Sequence, residues 1–183
     1  MGSCPRQPAL PGKVDRSSGC GSNASNQAGC NVGPPNQLEG FLLSASIIDS
    51  ATVQAYRETE YRVFAEAGFT LRVGQASAEL IDAHKRHKTH CSAFLTACNP
   101  LSQTFDADAN AERQATLAQE LNNRGLAFES GIGQHSSNGW PGEESFLVYG
   151  LELEAAKTLG TRLEQNAFVW CGADAVPQLI LLR

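Results

Sequence analysis

The chain has 183 residues, 42% of them hydrophobic, and a formal net charge of −5, so it is long enough for one domain with its own core. The surplus of acid argues against a nucleic-acid binder working by phosphate neutralisation. No apolar run approaches the about 20 residues that cross a bilayer, and the start MGSCPRQPALPGK lacks the apolar core of an export signal, so the expectation is a cytoplasmic protein without a membrane partner.

Residues 1–45 are crowded with Gly, Pro, Ser, Asn and Gln and show no helical or strand period. Such a segment buries too little apolar surface to offset its ordering entropy, which predicts a disordered low-complexity tail followed by a single globular domain over 46–183. The tail carries Arg6, Lys13 and Arg16 against Asp15 and Glu39, a balance of +1, so the domain carries −6. Cys4, Cys20 and Cys30 fall in the tail and Cys91, Cys98 and Cys171 in the domain. No pair has zinc-ligand spacing, and reduced thiols are expected.

In IIDSATVQAYRETEYRVFAEAG the positions Ile48, Val53, Tyr56, Val63, Phe64 and Ala67 form a helical stripe closed by Gly68, which predicts one long helix. FTLRVGQ at 69–75 alternates as a half-buried strand. SAELIDAHKRHK predicts a helix capped by Ser77, and SAFLTAC at 92–98 a short strand. DADANAERQATLAQELNNRG gives the clearest helix, with Asp106 or Asp108 capping it, Leu117 and Leu121 four apart, and Gly125 at its end. LAFESG at 126–131, SFLVYGL at 145–151 and NAFVWCG at 166–172 read as strands, EAAKTLGTRL at 154–163 as a helix, and PQLILLR as a last strand joined to its neighbour by a hairpin. GIGQ at 131–134 has neither the third glycine nor the helix of a dinucleotide loop and reads as a flexible connection running to Trp140. Two successive strands without a helix between them break the alternation of a doubly wound sheet. The expected fold is α+β, a mixed or antiparallel sheet of about five or six strands covered by three or four helices.

The stretch SAFLTACNPLSQ locates the candidate site. Proline at position 100 ends the strand and holds Asn99 at its tip, where binding groups are presented on a rigid scaffold, although an Asx-type turn with Ser102 or Thr104 capping the next helix fits the same residues. Arg72 and Gln75, Glu143-Glu144-Ser145, and Gln165-Asn166 occupy comparable strand ends. Their convergence would make a pocket of amides, a carboxylate and an arginine, with Trp140 as a stacking face, suited to a small polar ligand. Neighbours on an extended chain point to opposite faces, so only one of the two acids serves such a pocket, and Glu144 is the choice. Solvated glutamates and a Trp140 that merely covers the core edge are the structural alternative.

Catalytic chemistry is not specified. Ser145 lacks a G-x-S-x-G context, and no histidine is placed by sequence to activate Cys98. His84, His87 and His90 recur every third residue, but no carboxylate is interleaved with them and Lys85, Arg86 and Lys88 oppose a cation. A solvated basic helix end, able to dock an acidic partner, is expected there, with no metal and no cofactor.

The ordered blocks YRETEYRV, FTLRVGQ, FLTACNPLS, NAERQATLAQEL, GWPGEESFLVYGL, LGTRLEQNAFVW and DAVPQLILL resemble the bacterial family catalogued as domain of unknown function 3293, over roughly residues 48–183. That resemblance implies a small bacterial domain and no particular activity. Three functional classes follow from the residues: a ligand-binding or regulatory domain with its pocket at the strand ends, a protein-interaction module without a pocket, and a hydrolytic enzyme.

Overall fold

The computed structural model describes residues 47–137 and 139–183; the expected tail over 1–45, with Cys4, Cys20 and Cys30, lies outside the described residues. The elements are α1 (Ser50–Glu58), β1 (Glu60–Val63), β2 (Phe69–Leu71), α2 (Ala78–Arg86), β3 (Ser92–Leu95), α3 (Ala107–Asn123), β4 (Phe128–Gln134), β5 (Glu143–Tyr149), α4 (Leu153–Arg162), β6 (Ala167–Cys171) and β7 (Pro177–Leu181). A short 3₁₀ turn, Pro100–Ser102, follows β3. The fold is α+β, and its single antiparallel sheet has seven strands in the order β2-β1-β4-β5-β3-β6-β7, one more than the upper expectation.

The additional strand is β1. Helix α1 starts where Asp49 caps it, accepting from the Thr52 amide at 2.9 Å, and ends at Glu58, where Thr59 turns extended (φ −64°, ψ 137°). The long helix expected over this region is therefore a helix and a strand. Tyr61 and Val63 are buried, while Glu60 and Arg62 alternate with them on the outer side; this four-residue alternation is too short to stand out against the helical stripe around it. Pairing with both β2 and β4 overrides the local helical preference.

GIGQ is also strand rather than flexible connection, because β4 runs on to Gln134 and pairs with β1 and β5. Its glycines permit a close approach: a Cβ on Gly131 would lie 2.5 Å from the Arg62 carbonyl oxygen and 2.8 Å from the Phe94 ring. The first predicted strand stops at Leu71 rather than 75, since Gly74 (φ +80°) turns the chain and Arg72 bridges back to Gln75.

Strand alternation sorts the core into two layers. Phe94, Leu147, Tyr149, Val169 and Cys171 point to the face that Leu80 and Ala83 of α2 cover. Ala93, Leu95, Phe146, Val148 and Phe168 point to the other face, against Leu117 and Leu121 of α3 and Ala156 and Leu159 of α4. Central strands β5, β3 and β6 are thus apolar on both sides, which is why SAFL and SFLVY read as continuous apolar runs. Cys91, Cys98 and Cys171 are buried and unpaired. Among the described residues no helix is long and apolar enough to cross a membrane.

Candidate functional site

Antiparallel pairing brings the tip of β3, the starts of β5 and β6, the end of β4 and the start of β1 to one end of the sheet, as the registers Leu95↔Phe146, Gly133↔Glu143 and Glu60↔Gln134 require. There α1 lies across the face that α2 leaves uncovered, and a cavity of about 300 Å³ opens between them. Tyr56, Tyr61, Phe94, Trp140 and Val169 give it an aromatic and apolar wall. Thr96, Asn99, Glu143, Ser145 and Gln165 give it a polar end.

Asn99 organises that end. It is 6% exposed and left-handed (φ 47°, ψ 57°), a conformation asparagine tolerates better than most residues. Its Oδ1 accepts from the Phe105 amide at 3.0 Å and from Asn110 Nδ2 at 2.9 Å, while its backbone N–H donates to Asn110 Oδ1 at 2.9 Å. Its Nδ2 donates to Glu143 Oε1 at 2.7 Å, and Trp140 Nε1 donates to the same oxygen at 3.1 Å. Glu143 Oε2 has no hydrogen-bond donor among the described residues. Burial pushes the Glu143 carboxyl above its usual range, opposed by the bonds from Asn99 and Trp140. Leu101 and Ser102, both at φ 56°, continue the left-handed backbone beside Asn99. The bond between Asn99 and Glu143 also borders a second cavity of about 310 Å³, which Cys98, Phe105, Asn110 and Glu144 line.

Other groups tie the rim together. Gln165 is buried and donates from Nε2 to the Cys98 carbonyl at 3.0 Å. Asn166 Nδ2 donates to Ser102 Oγ at 2.9 Å, and that hydroxyl also meets the Tyr56 hydroxyl at 2.7 Å. Tyr61 donates its hydroxyl to the Tyr56 carbonyl at 2.6 Å, and His135 Nε2 lies 3.2 Å from Glu58 Oε2. These contacts fix α1 over the cavity although none of its residues is fully buried.

Of the residues singled out in the sequence, Asn99, Trp140 and Gln165 line the main cavity, and Asn166 braces its rim through Ser102. Glu144 is exposed and borders the second cavity, its carbonyl accepting from Thr96 Oγ1 at 2.7 Å. Arg72 and Gln75 line neither cavity: both are exposed, and Arg72 pairs with Glu60. The acid in the main cavity is Glu143. Period two was the available signal, because Ser145, Leu147 and Tyr149 face α2 and α1, and two residues back from Ser145 is Glu143, not Glu144. Tyr56, Tyr61 and His135 carried no such signal, since their placement depends on the unforeseen β1.

Neither Ser145 nor Cys98 is equipped as a nucleophile by its neighbours among the described residues. Ser145 Oγ donates to the Glu143 carbonyl at 3.0 Å, and Cys98 Sγ contacts the carbonyls of Glu144 and Asn110, so neither is joined to a histidine. Burial pushes the Cys98 thiol up, which keeps it protonated. The three histidines take separate partners. His84 is buried with Nε2 2.9 Å from Ser92 Oγ, His87 stacks on Tyr149 at 3.9 Å between ring centroids, and His90 Nε2 lies 3.4 Å from Glu152 Oε1. His90, Cys91 and Glu152 form a set of metal-capable side chains whose ligand atoms lie within 4.8 Å of one another, at the opposite end of β3 and β5 from Asn99. Burial, with the Glu152 charge beside it, pushes the Cys91 thiol up to about 11, so metal binding there would first have to displace a proton.

The family described as Protein of unknown function (DUF3293) matches residues 95–168, from the last residue of β3 to the second residue of β6. The match covers the blocks from FLTACNPLS to LGTRLEQNAFVW in the main, while YRETEYRV, FTLRVGQ and DAVPQLILL lie outside it, and the matched stretch contains Asn99, Trp140, Glu143 and Gln165. No curated protein matches the chain, and no solved structure does.

Proposed function

We propose that the domain binds a small molecule in the cavity beneath α1. The observation that carries this reading is Glu143: a carboxylate in an aromatic-walled cavity of about 300 Å³, with one oxygen held by Asn99 and Trp140 and the other without a donor among the described residues. Convergent polar groups at one end of an apolar pocket are the usual design of a ligand site. Burying a carboxylate is unfavourable unless its oxygens are satisfied, and a bound donor would satisfy the second one. The left-handed run at Asn99, Leu101 and Ser102 supports the same reading, since costly backbone conformations concentrate where groups are held for binding.

An interaction module using the basic end of α2 has less support, because His84 is buried and His87 is stacked on Tyr149. Hydrolysis has less again, lacking an activated nucleophile. A thermal-shift screen of small metabolites and nucleotides tests the binding reading, since any ligand that prefers the folded chain raises Tm. Gly133→Leu is the control: Gly133 lines the cavity and an added Cβ meets only the Tyr61 and Thr59 side chains, none closer than 3.7 Å, so the substitution adds volume at the cavity wall. Hits that vanish in Gly133→Leu support the cavity; hits that persist place binding elsewhere.

A further inference from the structure

Resting on that reading, we infer that the ligand is an organic cation: a protonated amine or amidine on a flat apolar body, its positive group meeting Glu143 and its body lying against the aromatic wall. The assignment follows from which polar atoms of the cavity remain uncommitted. The hydroxyls of Thr52, Thr59, Tyr61, Thr96 and Ser145 all donate to protein oxygens. Gln165 directs Nε2 at the carbonyls of Cys98 and Leu163, at 3.0 and 3.4 Å, so its uncommitted atom is the acceptor Oε1. Glu143 likewise presents Oε2, again an acceptor. The remaining donors are the second amide hydrogen of Asn99 and one hydroxyl hydrogen of the Tyr56–Ser102 pair, both neutral.

Charge decides between ligand classes. Among the described residues no lysine or arginine lines the cavity, and the lining His135 is already paired with Glu58, so an anionic ligand would meet the Glu143 carboxylate without a free counter-charge. A cation would meet that carboxylate directly, in a cavity lined by the aromatic residues Tyr56, Tyr61, Phe94 and Trp140. A neutral ligand could donate a hydrogen bond to the carboxylate but would leave its charge uncompensated. The upward push on the Glu143 carboxyl agrees with this, because a bound cation would reverse it.

The test titrates the full chain by calorimetry with three probes of one shape: 2-phenylethylamine, 2-phenylethanol and 3-phenylpropionate. The amine is expected to bind about tenfold or more tightly than the alcohol, as a charge-assisted hydrogen bond predicts, and the carboxylate most weakly. Glu143→Gln keeps an oxygen for Asn99 and Trp140 but removes the charge, so the preference for amine over alcohol should collapse while the alcohol still binds. If the alcohol or the carboxylate binds as tightly as the amine, the cation assignment is overturned and the binding reading stands. If an amine preference survives in Glu143→Gln, the cation is not held by Glu143. If none of the probes binds at millimolar concentration, the binding reading falls and the assignment falls with it.

Discussion

Replacing Asn99 with Ala would remove the group that joins three elements. The Phe105 amide and Asn110 Nδ2 lose an acceptor at 3.0 and 2.9 Å, and Glu143 Oε1 loses a donor at 2.7 Å. Two neutral bonds at about 1 kcal/mol each and one to a carboxylate at about 1.5 kcal/mol sum to about 3.5 kcal/mol. Alanine at φ 47° carries a further backbone cost that glycine avoids, so Asn99→Gly should be about 1 kcal/mol less destabilising than Asn99→Ala. Urea denaturation followed by far-UV circular dichroism reads both values, provided the slope with denaturant is unchanged. A loss below about 1 kcal/mol in Asn99→Ala would show that these bonds are not what holds the strand ends together. Equal losses in the two variants would refute the contribution of the left-handed backbone.

Four further outcomes follow. Gly131→Ala should lower stability by about 1–3 kcal/mol, because its Cβ meets the Arg62 carbonyl oxygen and the Phe94 ring and forces β1 and β4 apart; an unchanged Tm would contradict that packing. Glu143, whose folded carboxyl lies above its ordinary value of 4.5, binds its proton more tightly when folded; its contribution is full below that value and is lost as pH rises through the folded one. Glu143→Gln should therefore gain stability relative to the parent as pH rises above 4.5, and a difference that stays flat in urea midpoints would count against the burial of that carboxyl. His84, pushed down by burial and by His90 and His87, should titrate below 6.5 when its ring signals are followed by NMR; an ordinary or raised value would mean that its bond to Ser92 exists only in the charged form. The amides of α1, a helix with no buried residue, should exchange with deuterium faster than those of β3 and slow when a cavity ligand is added; equal protection of the two elements without ligand would show that α1 is not the loosest wall.

Much of this architecture was legible because the signals were local. Asp106 and Ser77 cap their helices as their positions suggest, accepting from Ala109 and Leu80, and the hairpin of β6 and β7 follows from two apolar runs and a short polar link. β1 was hidden because Tyr61 and Val63 satisfy a helical stripe and a strand alternation equally, and only β2 and β4 decide between them. β4 was shortened because glycine ordinarily weakens a strand, whereas Gly131 is required there by the Arg62 backbone and the Phe94 ring. The same long-range information separates Glu143 from Glu144 in practice: alternation names the face, but only the crossing of α1 makes that face a cavity. Arg72 sat at a strand end in the sequence as plausibly as Asn99 did. Its strand lies at the sheet edge, where the nearest acid is Glu60, whereas β3 lies between β5 and β6.

The most direct measurement is a ¹H–¹⁵N titration of the full chain with 2-phenylethylamine, following the two indole N–H signals. Trp140 donates to Glu143 at the cavity, whereas Trp170 donates to the Leu151 carbonyl at 3.1 Å and packs with the layer of α3 and α4 on the other side of the sheet. Binding beneath α1 predicts that the Trp140 signal moves and saturates together with the Gly133 amide while the Trp170 signal stays in place. A titration in which Trp140 and Gly133 stay fixed, or in which only Trp170 or α2 responds, would contradict the claim that this cavity is the binding site.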